Sequence, residues 1–213
     1  MHVYRELKSF GAIPIAHHNL MPLLNHYKRP NDKIRDWVKK GYLIPLVKGK
    51  YVIHPEIAGG KPDRMLLANY LYGPSYVSLE YALSYYQAIP ELVEEITSVT
   101  TRRRKTIENI IGRFSYIGIP LPYYSLGIKI ESLGRDQNAI MATPEKALFD
   151  MVVCTRNLQL RSYRDAEKWL KDMRFDAYWL SQLDQNKMTS YLASAPKKES
   201  LKCLTKTITT YVA

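Results

Sequence analysis

Cysteine is nearly absent: Cys154 and Cys203 are the only two in 213 residues, too few and too far apart for a disulfide framework or a Cys/His metal cluster. A reduced, cytoplasmic protein without metal or cofactor is the expectation. No stretch approaches the ~18 consecutive apolar residues of a membrane span, and residues 1–18 carry charges and a polar break where a signal peptide needs an unbroken apolar run. Secretion and membrane insertion are therefore not expected. Also missing are the Gly-rich loops that cradle phosphates, the His-Glu-x-x-His metal spacing and the Gly-x-Ser-x-Gly elbow, so no enzyme is expected. The adjacent pair His17-His18 would diverge by ~100° on a helix and cannot readily share a metal. There is no internal repeat and no low-complexity tract.

Acidic residues are the scarcer charge, 20 against 31 basic, and the excess is unevenly placed. Residues 1–55 hold ten basic and three acidic side chains, a net of +7, which leaves +4 for the other 158 residues. A short segment holding most of the excess points to a polyanion, of which nucleic acid is the usual one. Its centre is Pro30 to Ile53. Asn31 or Asp32 is placed to cap a helix whose Ile34, Trp37 and Val38 share a face, leaving Lys33, Arg35, Lys39 and Lys40 pointing elsewhere. Gly41 stops that helix. Leu43 to Leu46 and Tyr51 to Ile53 suit short strands, joined by a turn that carries Lys48 and Lys50.

Upstream, residues 3–10 read as a first helix with Val3, Leu7 and Phe10 inward, and residues 16–24 as a second, shortened or kinked by Pro22. Helix, helix, helix and wing is the order of a winged helix-turn-helix. In that arrangement Asn31, Lys33 and Arg35 approach base edges, while Lys28, Arg29, Lys39, Lys40, Lys48 and Lys50 contact phosphates. Gly59-Gly60 reads as a hinge, which divides the chain into a DNA-binding domain, 1–57, and a second domain, 62–213. The expected fold class is α+β: an N-terminal winged helix-turn-helix followed by a mixed α/β domain that ends in helices.

In the second domain Pro62 opens a helix over 63–72, and residues 73–91 read as one aromatic-rich helix capped by Ser78. Strands are expected at 96–101 and 114–119, with Arg102, Arg103 and Arg104 exposed at the first strand's end as a second basic surface. Further strands at 126–132 and 138–142 flank a turn, Gly134-Arg135-Asp136. Thr143 as cap, Pro144 at the first helical position and Glu145 in the first turn begin a helix that turns Ala147, Leu148 and Met151 inward. From residue 162 onward the pattern is helical, with a final helix over 197–212.

Two of these segments, Tyr76-Val77-Ser78-Leu79 with Ala82-Leu83 and Ile89-Pro90-Glu91, and then Thr143-Pro144-Glu145-Lys146-Ala147-Leu148 with Asp150, resemble the AbiEi-type antitoxins of type IV toxin–antitoxin systems. The likeness covers about residues 1–155. It implies that the winged helix binds inverted repeats in double-stranded promoter DNA and represses its own operon. It also implies that the second domain counters a nucleotidyltransferase toxin without forming a stable complex, with Arg102, Arg103 and Arg104 as the candidate antitoxic surface. The toxins of such pairs need a Gly-Ser dipeptide followed by spaced aspartates, and no Gly-Ser occurs here, so the chain resembles the antitoxin. One alternative is a winged-helix regulator whose second domain senses a ligand or partner and has no toxin. Another is a nuclease built on Asp136, Glu145 and Lys146, although helix capping already accounts for the Pro-Glu-Lys segment.

Overall fold

A computed structural model describes residues 2–134 and 136–211. The side chain of Val3, and Arg135 and Val212, which the sequence reading placed in a helix, a turn and a helix, lie outside the described residues. The fold is mixed α+β. Helix α1 (His2–Lys8) stops before Gly11, which takes φ +63°. Strand β1 (Ile15–Ala16) leads into α2 (His17–Leu20), and the chain tightens into a 3₁₀ turn at Met21–Leu24. There Pro22 cannot continue an α-helix, because its ring would meet the carbonyl four residues back.

Helix α3 (Pro30–Lys39) begins one residue before the expected caps. Proline tolerates the first helical position because the amide hydrogen it lacks has no partner there. Asn31 and Asp32 are therefore inside the first turn, and the capping position falls to Arg29, whose side chain makes no cap bond. Ile34 and Trp37 are buried as expected and Val38 half-buried. Gly41 (φ +74°) ends the helix, and β2 (Leu43–Val47) and β3 (Lys50–Ile53) form a hairpin over Lys48-Gly49. With β1 they make an antiparallel sheet of order β1-β3-β2.

Two apolar cores are present. Leu7, Ile15, Leu20, Leu24, Ile34, Trp37, Leu43, Ile53 and Ile57 form the smaller. The hairpin belongs to both: Leu43 and Ile53 face the smaller core, whereas Leu46 and Val52 join the larger one. That follows from the two-residue period of a strand, which sends neighbouring side chains to opposite faces. The loop and hinge expected at 54–61 is instead α4 (Pro55–Ala58), with Ile57 buried in the smaller core, and Gly59 (φ +78°) is the stop of that helix.

Beyond it, α5 (Arg64–Leu71) is capped by Asp63, whose Oδ1 accepts from the Met65 amide at 2.7 Å. The expected long helix over 73–91 is divided. Ser75–Val77 is a strand, β4, buried along its length between two neighbours, and only Leu79–Tyr85 (α6) is helical. Strands β5 (Ile96–Thr100), β6 (Lys105–Asn109) and β7 (Gly112–Gly118) follow. Strand β6 was not foreseen, because it is an edge strand whose only buried side chain is Ile107. A short α7 (Leu121–Tyr124), the hairpin β8 (Ile128–Ser132) and β9 (Asn138–Ala142), and α8 (Pro144–Cys154) complete the sheet unit. The six-stranded order is β6-β7-β5-β4-β9-β8, parallel at β5/β7 and β4/β9 and antiparallel elsewhere. Helices α9 (Tyr163–Asp172), α10 (Ala177–Ser181), α11 (Gln185–Tyr191) and α12 (Lys198–Tyr211) close the chain, with α12 packed on α8, α9, α10 and α11.

Because the hairpin is common to both cores, Leu46→Ala should destabilise the whole molecule by about 2–5 kcal/mol. Urea unfolding followed by tryptophan fluorescence and by far-UV circular dichroism should still give one coincident transition. Two separated transitions would show that the cores melt independently.

Candidate nucleic-acid interface

Three of the elements that carry the residues expected to meet DNA converge on His17. Its backbone N–H donates to the Gly49 carbonyl at the hairpin turn (2.8 Å), and its ring Nε2 lies 3.0 Å from the Asn31 Oδ1 in the first turn of α3. The start of α2, the start of α3 and the tip of the hairpin are thereby held on one side of the molecule. Asn31 is thus partly engaged in positioning the hairpin.

The cations of α3 are less free than their number suggests. Asp32 pairs with Arg35 (2.9 Å) and lies 3.9 Å from Arg29, and Asp36 takes Lys40 at 2.8 Å and Lys33 at 3.5 Å. The hydrogen bond from Lys40 holds the Asp36 carboxyl below its ordinary value and raises Lys40 in return. Arg29, Asp32, Arg35 and Lys40 are exposed, so their pairs are screened by solvent and contribute little, whereas Lys33 and Asp36 are half-buried. Lys33 also stands 5.3 Å from the centre of the Tyr27 ring. Lys28, Lys39 and Lys48 are exposed and pair with no carboxylate among the described residues.

Lys50 corrects the sequence reading. It does not point off the hairpin as a free phosphate contact: its Nζ donates to the carbonyls of Tyr70 (2.6 Å) and Leu71 (3.0 Å) at the end of α5 and sits 4.7 Å from the centre of the Tyr70 ring. A helix C-terminus offers unpaired carbonyls and partial negative charge, which suits an ammonium group. Burial, and then the charges of Lys105 and Arg102, hold Lys50 below its ordinary pKa. The second basic surface is therefore next to the hairpin. Arg102, Arg103 and Arg104 are exposed between β5 and β6, as expected of a run too repulsive to bury.

The two segments that carry the family resemblance meet in the core. Asp150 accepts from Tyr76 Oη (2.9 Å) and Ser78 Oγ (2.7 Å) through one oxygen and pairs with Lys146 Nζ (2.9 Å) through the other. Lys146 also donates to the Tyr123 carbonyl (3.1 Å) and lies over the Tyr123 ring. Tyr76, Ser78, Tyr123, Lys146 and Asp150 are all 0% exposed. Burial pushes Lys146 below its ordinary value while Asp150 pulls it back, and burial holds the Tyr76 and Tyr123 hydroxyls well above theirs. The sequence reading gave Lys146 and Asp150 no structural role, and Ser78, read as a helix cap, spends its hydroxyl on Asp150 instead. Of the three residues of the nuclease alternative, Glu145 and Lys146 point into the core and Asp136 lies in an exposed turn.

One basic feature escaped the sequence reading. Lys198, Lys202 and Lys206 recur every fourth residue along α12, and with Arg161 they line a cleft of about 810 Å³ beside α9. Their signal in the sequence is a four-residue spacing and not a run such as Arg102–Arg104.

No family model matches the chain, and no curated protein matches it. Among solved structures, the Rv2827c protein from Mycobacterium tuberculosis aligns with 97% of this chain and 75% of its own, at a TM-score of 0.60 and 12% identity. The likeness is one of fold. It says that this order of elements recurs in another chain with almost none of the same side chains, and nothing about what either binds.

Removing one partner of the buried pair strands the other charge, so Asp150→Ala and Lys146→Ala should each cost about 3–5 kcal/mol. The double variant Lys146→Met with Asp150→Leu should recover much of that loss, as read by urea unfolding. Additive losses in the double variant would show that the two groups do not interact.

Proposed function

We propose that the protein is an antitoxin and autorepressor similar to AbiEi, whose first 57 residues bind promoter DNA as a winged helix-turn-helix. The observation that supports the DNA half is the convergence on His17, which sets the start of α3 and the hairpin tip side by side. On this reading the first turn of α3 enters the major groove, ~12 Å wide, with Lys33 and Arg35 toward base edges. Arg29, Lys40 and the unpaired Lys28, Lys39 and Lys48 take phosphates. The flexible ammonium groups of the lysines fix position without reading sequence. Inverted repeats in the promoter are then occupied by two copies of the chain.

The antitoxin half rests on the resemblance. Its support is that the two signature segments, far apart in sequence, share one buried network, so that together they build a single element of the second unit. A nucleotidyltransferase toxin is the functional partner, opposed without a stable complex. No catalytic step, metal or cofactor is assigned to this chain. One observation favours the alternative of a ligand-sensing regulator: the cationic cleft beside α12 has the size and charge for a small anion-bearing molecule.

Fluorescence anisotropy with a duplex from the upstream promoter tests the DNA half. Each lost phosphate contact lowers the slope of log K against log salt by ~0.9, so Lys28→Ala, Lys39→Ala and Lys48→Ala combined should lower it by about 2–3. Lys33→Ala with Arg35→Ala should weaken the promoter duplex more than a scrambled one. Equal binding by wild type and both variants would sink the reading. Co-expression with a nucleotidyltransferase frame beside the gene tests the other half: restored growth is expected, and a neighbourhood without such a frame favours the regulator.

A further inference from the structure

We propose that Arg102, Arg103 and Lys105 form, with the hairpin, one continuous DNA-phosphate surface, so that the bound duplex runs on from the hairpin tip across the second unit. The inference rests on the DNA-binding reading above and extends it to a surface that reading does not use. Its basis is the way Tyr72 gathers the cations. Arg102 lies 5.4 Å and Lys105 Nζ 4.9 Å from the centre of the Tyr72 ring, and the Tyr72 hydroxyl donates to the Arg103 carbonyl at 3.2 Å. The ring face attracts both cations and so holds them near one another despite their repulsion.

Lys50 connects this group to the hairpin. It sits two residues from Lys48 and feels the charges of both Lys105 and Arg102, while its own ammonium is held by the last carbonyls of α5, immediately before Tyr72. Arg102, Arg103 and Lys105 are exposed, and among the described residues none of them pairs with a carboxylate. Like charges collected this closely without counter-ions raise the local potential and favour a polyanion over a small neutral ligand.

The backbone fixes the position of the group. A Cβ at Gly118 would come within 2.3 Å of the Arg102 carbonyl oxygen, so only glycine allows β7 to pass this close beneath the arginine loop. The hairpin is equally constrained, because Leu46 and Val52 are buried in the larger core and Asn109 Nδ2 donates to the Leu46 carbonyl at 3.4 Å. The two sets of cations are thus held in a fixed relation, not joined by a flexible tether. A duplex seated on the hairpin tip meets the second set at the next phosphates along its backbone.

The test uses the full chain and two promoter duplexes, one extended and one trimmed by about a helical turn on the flank beyond the hairpin. In anisotropy titrations over a range of salt, Arg102→Ala, Arg103→Ala and Lys105→Ala combined should lower the slope of log K against log salt by about 2–3 on the extended duplex. It should make little difference on the trimmed one. Replacing the two arginines by lysine should restore the slope, since the contact is to charge. A control, Lys198→Ala, Lys202→Ala and Lys206→Ala combined, removes the same charge elsewhere. An unchanged slope in the first variant, or an equal fall in the control, overturns this proposal while leaving the DNA reading intact. Wild-type protein without affinity for either duplex overturns both. Far-UV circular dichroism of each variant separates a lost contact from a lost fold.

Discussion

The molecule depends on a hairpin with two dry faces. A strand exposes alternate side chains to opposite sides, and an antiparallel ribbon at a surface ordinarily spends one side on water. Strands β2 and β3 spend both on protein: Leu43 and Ile53 on the small helical core, Leu46 and Val52 on the large one. Each face alone would leave apolar surface exposed. The consequence is that the order of folding elements along the chain does not divide into two freely jointed bodies, and the basic hairpin tip has a fixed bearing relative to everything after it. The register shifts between Pro45 and Val47, and Val47 packs, like Leu46, against the larger core.

A second constraint lies in the larger core. A lysine and an aspartate at positions i and i+4 of α8 are common on helix surfaces, where such a pair contributes little. Here both are fully buried, and the cost of desolvating them is offset in part by their mutual attraction, by the Tyr76 and Ser78 hydroxyls on one Asp150 oxygen and by the Tyr123 carbonyl and ring at Lys146. Those partners come from β4 and its continuation and from α7. The network therefore specifies which strand lies beside α8, in addition to whatever stability it contributes. An apolar core of equal volume would not discriminate between neighbours in this way.

What the sequence revealed and what it hid follow from the same physics. Helix stops were legible, because Gly11 and Gly41 need left-handed backbone and Pro22 cannot continue a helix; so was the cap at Thr143, whose hydroxyl accepts from the Lys146 amide. The small core could be read from Ile34, Trp37 and Val38, since helical period is a local property. Strand β4 could not, because three buried residues carry no alternation and its one aromatic, Tyr76, fits a helix stripe equally well. Nor could the role of Lys50. A lysine next to a turn reads as a free surface charge, and only the end of α5, brought against it by tertiary packing, turns it inward. Gly59 read as a hinge because glycine marks both hinges and helix ends; the local sequence does not separate the two.

The same distinction changes how the charge should be counted. The first 55 residues carry +7, but that number treats every cation as equivalent. On α3, Asp32 and Asp36 compensate four of them in part, so a polyanion arriving there displaces carboxylates and gains only the difference between two screened pairs. Among the described residues Lys28, Lys39 and Lys48 have no such competitor, and neither do Arg102, Arg103 and Lys105. Long-range attraction is set by the uncompensated charges, whereas the compensated ones act at contact, where a base edge or phosphate must outcompete an aspartate in a defined geometry. If α3 binds DNA as proposed, the acids on it favour discrimination over bare affinity, because they weaken attachment to any backbone that does not also place a better acceptor within reach of Lys33 and Arg35.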